Sequence, residues 1–328
     1  MSPGNRGDEA LRLGHLNEAI RAYRAALALE PDSAWYHQSL GEVSARKGWF
    51  LVASGCFRRA LQLDPDAVAR WYLVHTPAYA TDTAVPEPVF VLGCQHSGTT
   101  ILTRLLANHP RVMLADARET NLFAGSADDV NATLRGWDQA CTSTGASRWV
   151  EKSVLHAYMV PKLLAARPAA RFVIIVRDGR DVVASLKARK YAFNDLDDLI
   201  YCWTRVTDVL QRLVARPGTV LIRYEDLVRD PEATLTAVCT AIGEAWTPQM
   251  LQQDGTWLEW YGLPRMAEAG EAGSYRSHQR LRTWQINQPL FDGSGRWRTG
   301  LTAGEQQRFK ALAQRHLEAF GYADSDGW

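Results

Sequence analysis

FVLGCQHSGTTIL, Phe90 to Leu102, is the stretch whose reading decides the fold. An apolar run ends in a glycine, the polar turn Ser97-Gly98-Thr99-Thr100 follows, and an apolar helical pattern begins at once. That order predicts a strand, a tight loop and a helix. In such a loop the backbone N–H groups at the head of the helix converge on one concavity, where the helix dipole adds positive potential. An anion site is the consequence. Four residues separate Gly93 from Gly98, as in the phosphate loop G-x-x-x-x-G-K-[ST], but Thr99 stands where that pattern carries its lysine. The lysine serves the β- and γ-phosphates of a nucleoside triphosphate, so its absence argues against one. An ordinary strand-to-helix turn is the plainer alternative.

Downstream, RFVIIVRDGRDVVAS (Arg171 to Ser185) repeats the design. Phe172 to Val176 is a fully apolar, β-branched run, as expected of a central parallel strand. A charged turn follows at its carboxyl end, and a helix then carries Ser185 eight positions beyond Arg177. Arginine suits phosphate binding because its guanidinium grips two oxygens at once. A helix start in which Arg177, Arg180 and the neighbouring aspartates pair among themselves is the alternative.

Together these stretches resemble the sulfotransferase family, bacterial members included, with some likeness to the protein-tyrosine enzymes. Gly93 to Thr100 resembles the family's 5′-phosphosulfate loop, whose usual form is [KR]-S-G-T-T, with His96 at the Lys/Arg position. Arg177 and Ser185 match the residues that bind the nucleotide's 3′-phosphate. Glu119, in DARETNLF and 19 residues beyond Thr100, matches the family's general base; an acceptor hydroxyl must lose its proton as it attacks sulfur. Lys152, in WVEKS, matches the lysine that approaches the oxygen bridging sulfate and phosphate. YEDLVRDPEATL resembles a segment near the nucleotide, with Tyr224 at a strand end where a buried hydroxyl finds a hydrogen bond and Glu225 beside it. GSGRWRTG resembles the closing loop, which brings Arg296, Trp297 and Arg298 to the nucleotide.

The resemblance covers Val89 to Tyr322 in separate stretches in the family's order. It implies an α/β fold, a P-loop-type parallel sheet flanked by helices. It also implies 3′-phosphoadenosine 5′-phosphosulfate as donor, 3′-phosphoadenosine 5′-phosphate as product and no metal. Gln95, His96, Ser97, Gly98, Thr99, Thr100, Arg177, Ser185, Tyr224, Arg296, Trp297 and Arg298 are the expected donor-binding residues. Glu119, Lys152 and His96 are the expected catalytic ones. The expected acceptor is a hydroxyl, of a small metabolite first and of a peptide tyrosine second. A nucleotide kinase would need the missing lysine and an acidic strand end for magnesium. A scaffold with an inactive transferase domain is the rival that His96 keeps open.

Towards the N-terminus lies an internal repeat. ALALEPD (Ala26 to Asp32) returns as ALQLDPD (Ala60 to Asp66), and the same offset pairs Gly7 with Gly41, Gly14 with Gly48, Leu16 with Phe50 and Ala19 with Ala53. The register resembles tetratricopeptide repeats, two antiparallel helices per unit with a proline ending the second. Two repeats are too few to bury a solenoid core unaided. A closing helix over Val68 to His75, a dock on the second domain, a homodimer or a bound peptide are the expected caps.

Residues 1–75 therefore read as a small all-α repeat domain, 76–88 as a proline-bearing linker and 89–328 as the transferase domain. Charge is nearly balanced, 37 basic against 36 acidic residues in 328, so no nucleic-acid footprint is expected. The five cysteines are scattered, and no apolar run approaches the length of a membrane span. A reduced, cytoplasmic protein with no membrane partner is the expectation. From Thr247 to Gly295 periodicity fades while aromatics persist, which predicts a region covering the substrate.

Overall fold

The computed structural model describes residues 2–80, 87–188, 195–252, 258–262, 280 and 283–322. Much of the expected substrate-covering region lies outside these residues. The chain forms two compact units. One comprises Met1–Thr81, Asn121–Thr133 and Tyr158–Pro168; the other comprises Asp82–Thr120, Leu134–Ala157 and Ala169–Trp328.

The first unit opens with helices α1 (Pro3–Arg12), α2 (Leu16–Leu29), α3 (Ala34–Arg46), α4 (Phe50–Leu63) and α5 (Pro65–His75). The repeat register is visible atom by atom. Gly14 and Gly48 both turn the chain between paired helices at φ 75°, a conformation that glycine adopts without steric cost. A Cβ on Gly7 would lie 2.5 Å from the Tyr23 ring, and one on Gly41 would lie 2.5 Å from the Phe57 ring. Small residues on one helix therefore admit an aromatic from the next, twice in the same place. Asp64 caps α5 by accepting from Asp66 and Ala67 N–H groups, and Trp71 is fully buried beneath it. Closure also comes from later sequence: Tyr72 donates to the Tyr158 carbonyl, and Lys162, on α8 (Val160–Ala166), pairs with Glu42 of α3.

The second unit is built on a five-stranded sheet, β1 (Val89–Leu92), β2 (Val112–Leu114), β3 (Arg148–Glu151), β4 (Arg171–Val176) and β5 (Thr219–Arg223). The strand order is β2-β3-β1-β4-β5, and every neighbouring pair is parallel. Register is set by β1 against β4, from Val89 opposite Arg171 to Leu92 opposite Ile174. The sheet is flanked by α6 (Thr99–Ala107), the residues of α7 (Ala127–Thr144) from Leu134 on, α9 (Gly179–Lys187) and α10 (Leu196–Gln211). Helices α11 (Tyr224–Arg229), α12 (Pro231–Ile242), α13 (Trp297–Gly300) and α14 (Ala303–Ala319) complete it. One core packs Val91, Leu102, Leu106, Val150, Val173, Ile175, Ile222 and Leu235 between β-strands and helices. Among the described residues no helix is long and apolar enough to cross a membrane.

The chain leaves β1 towards β2 on one side of the sheet and leaves β4 towards β5 on the other. The crevice outside the carboxyl ends of β1 and β4 is thus a topological switch point, where ligands of open α/β sheets bind. Because all five strands are parallel, the segments that follow them emerge at this one edge: the Gly93–Gly98 loop, Glu119, Lys152, Arg177 and Tyr224.

Candidate active site

The loop after β1 is shaped by close approach. A Cβ on Gly93 would lie 2.7 Å from the Ile175 carbonyl of β4, and one on Gly98 would lie 2.7 Å from the Tyr224 ring. Gly98 also stands at φ 96°, as the residue that begins α6. His96 takes φ 66° although it is not glycine; an L-residue there costs about 1 kcal/mol or more unless its surroundings hold it. The held contact is visible: His96 Nδ1 lies 2.7 Å from Ser185 Oγ. Thr99 and Thr100 open α6 and are both buried.

Arg177 emerges from β4 and is 8% exposed. Its guanidinium donates to the His96 carbonyl at 3.2 Å and to the Gly293 carbonyl, and it stacks 4.6 Å over the Tyr224 ring. Tyr224 in turn donates to the Phe291 carbonyl at 2.5 Å, and burial raises its hydroxyl pKa above the usual value. Ser185, one face of α9 beyond, completes this side of the site. The two arginines of RDGRD divide their work. Arg180 is 1% exposed, pairs with Asp178 at 2.7 Å and stacks 4.2 Å over Trp297, so only Arg177 turns to the crevice. Glu225 accepts from the Asp178 N–H and the Tyr322 hydroxyl; burial pushes its carboxyl pKa up.

A cavity of about 440 Å³ opens between these elements. His96, Gly98, Thr99, Thr100, Arg177, Ser185, Tyr224 and Arg296 line it. Of the other residues expected there, Gln95 is half-buried in the loop. Ser97 is fully buried, Trp297 is 1% exposed and Arg298, itself exposed, lies 4.7 Å over the Trp297 ring. Leu290, Phe291, Gln285 and Asp181 also line the cavity. Phe291 is one of the aromatics of the expected substrate-covering region, whereas Leu290 has no sequence signal and Asp181 is hidden among the charges of RDGRD.

Glu119 and Lys152 form an ion pair with each other. The Lys152 side chain is 2% exposed and that of Glu119 15%. Glu151, one residue before Lys152, faces a different set: Thr120 and Ser153 donate to it at 2.9 and 2.5 Å, and His156 lies 2.9 Å away. Lys152 follows the last residue of β3, and the consecutive residues Glu119 and Thr120 meet Lys152 and Glu151 in turn.

Residues 88–143 and 127–248 match the model of the sulfotransferase family, and residues 7–48 match that of the TPR repeat. Protein-tyrosine sulfotransferase 2 of Gallus gallus is 22% identical over 204 residues, which are 51% of this chain and 53% of that protein. Protein-tyrosine sulfotransferase A of Caenorhabditis elegans is 24% identical over 198 residues, 51% and 52% of the two chains. The chain thus spans about half the length of the curated relatives it matches. A mouse sulfotransferase complexed with PAP superposes with a TM-score of 0.51 at 14% identity, over 79% of this chain and 91% of that one. The chain thus carries a sulfotransferase-family domain over residues 88–248, with a TPR-repeat segment before it.

Proposed function

We propose that the protein transfers a sulfuryl group from 3′-phosphoadenosine 5′-phosphosulfate to an acceptor hydroxyl. The observation that carries this reading is the sharing of one cavity by two anion-binding features, the head of α6 and the Arg177–Ser185 pair. Such a donor needs two separate anion subsites on one nucleotide. A single nucleoside triphosphate chain does not, and Thr99 in place of the phosphate-loop lysine agrees.

In this reading the loop backbone with Thr99 and Thr100 holds the 5′-phosphosulfate, and Arg177 with Ser185 holds the 3′-phosphate. Gln95, Ser97, Trp297 and Arg298 belong to the same donor-binding set, and Arg296 adds positive charge at the cavity. The bound donor supplies the activated sulfuryl group and leaves as 3′-phosphoadenosine 5′-phosphate. Glu119 takes the acceptor's proton as its oxygen bonds to sulfur, and Lys152 with His96 faces the charge left on the oxygen released from sulfur. Positioning and charge stabilisation supply most of the acceleration. The Glu119–Lys152 pair keeps both groups at hand; it opens when an acceptor and a donor take its place.

Calorimetric titration with 3′-phosphoadenosine 5′-phosphate tests the reading. The wild type binds one equivalent, and Arg177→Ala weakens binding by tenfold or more, since a charge-assisted hydrogen bond contributes about 1.5–3 kcal/mol. A wild type that binds no such nucleotide overturns it. A second reading narrows the acceptor to a peptide tyrosine, because the curated relatives named above are protein-tyrosine sulfotransferases. Mass spectrometry of cell extract incubated with labelled donor separates a sulfated metabolite from a sulfated peptide.

A further inference from the structure

Asp181 is an anomaly in this site. Its side chain lines a cavity that Arg177, Arg296 and a helix head otherwise make attractive to anions, yet it carries negative charge and is 1% exposed. A buried carboxylate beside an anion site weakens that site unless its charge is engaged elsewhere. Here it is engaged. One oxygen accepts from the Gly295 N–H at 2.8 Å and the other from the Trp297 N–H at 2.9 Å.

Both donors belong to a strap, residues 291–297, that returns to the cavity more than a hundred positions later in the chain. Asp292 folds it by accepting from Ser294 N–H at 2.8 Å, and Gly295 turns it at φ 74°. The strap then runs into α13, where Arg298 N–H donates to the Gly295 carbonyl at 3.2 Å and the Trp297 N–H, first of the helix, points outside it. Asp181 provides its partner from another element. Two further contacts hold the same strap, Arg177 to the Gly293 carbonyl and Tyr224 to the Phe291 carbonyl. Arg177 and Tyr224, however, are expected donor-binding residues; Asp181, as a carboxylate, is a like charge to a phosphate and bonds the strap. Burial raises its carboxyl pKa, and the nearby Arg177 works the other way.

We infer that Asp181 is a positioning residue: by bonding the Gly295 and Trp297 N–H groups it holds the 291–297 strap, and Arg296 with it, against the donor cavity. The inference rests on the donor-binding reading. Arg296 lies between the two bonded residues, so releasing the strap releases its guanidinium from the cavity wall.

Asp181→Asn, nearly isosteric, loses the charge and offers one carbonyl where two oxygens accepted. Titration with 3′-phosphoadenosine 5′-phosphate is expected to show a Kd raised about tenfold, as for a difference of 1.4 kcal/mol, with the stoichiometry of the folded protein unchanged. A merely structural role lowers the stoichiometry through lost folded protein and leaves Kd alone. Hydrogen exchange in the peptide spanning 291–299 is expected to quicken in the variant. If Asp181→Asn fails to fold, the wild type still decides: the strap amides must be protected without nucleotide, and fast exchange there overturns the inference. An unchanged Kd in Asp181→Asn, beside a weakened Arg177→Ala, overturns it as well. If Arg177→Ala binds as the wild type does, it is the donor-site reading that fails.

Discussion

Lys162→Met should destabilise the first unit severely. The ammonium group of Lys162 and the carboxylate of Glu42 are 1% and 0% exposed, with Arg46 Nε 3.1 Å from the same carboxylate and 25% exposed. Lys162 also donates to the Phe123 carbonyl at 3.2 Å. Removing one partner of a buried pair leaves an uncompensated charge and costs about 3–5 kcal/mol. Arg46 remains, so the expected loss is at the lower end, about 3 kcal/mol. Replacing both partners, in Glu42→Met with Lys162→Met, removes the stranded charge and is expected to cost less than Lys162→Met alone. Urea denaturation followed by circular dichroism measures the losses, and amide exchange in α3 locates them. The same pair sets a pH dependence. Burial works against the Glu42 charge, but Lys162 and Arg46 outweigh it and hold the carboxyl below its ordinary 4.5. A carboxylate depressed in the folded state contributes stability above its unfolded pKa and loses it as pH falls through the folded one. The wild type should therefore lose stability below about pH 4.5 more steeply than the double variant. A Lys162→Met loss under about 1 kcal/mol, or a double variant that costs the sum of the singles, refutes the reasoning.

Further outcomes concern the site. Glu119→Ala should abolish sulfuryl transfer while binding 3′-phosphoadenosine 5′-phosphate as the wild type does; near-native transfer removes Glu119 as the base. His96→Lys replaces an imidazole, the side chain whose ordinary range lies near neutrality, by an ammonium, so the pH–rate profile should flatten on its alkaline side, and an unchanged profile removes His96 from the chemistry. Gly98→Ala forces a side chain into φ 96° and to 2.7 Å from the Tyr224 ring. Its expected cost is about 1–3 kcal/mol in thermal unfolding, together with weakened nucleotide binding; a neutral substitution contradicts the packing described for the loop.

The sheet strands, the α6 loop and the repeat could be read directly because each rests on local pattern. Phe172 to Val176 is apolar throughout because a central parallel strand is covered on both faces. Gly7 and Gly41 recur because each must admit an aromatic ring from the next helix. Arg177 and Ser185 were singled out by resemblance to the family's 3′-phosphate motif rather than by spacing, and both line the cavity. What remained hidden depends on partners distant in sequence. RDGRD does not say which arginine turns inward; Trp297, more than a hundred residues later, stacks on Arg180 and leaves Arg177 to the cavity.

By itself, then, the sequence determined the fold class, the repeat and the order of the segments at the carboxyl edge of the sheet, because helix and strand periodicity and glycine spacing are short-range properties. Tertiary structure decided the pairings: Glu119 with Lys152, His96 with Ser185, Asp181 with the strap, and Lys162 with the repeat. Each of these joins residues at least 33 positions apart, and no local pattern encodes such a contact. It follows only when buried charges and N–H groups must find partners in the folded chain.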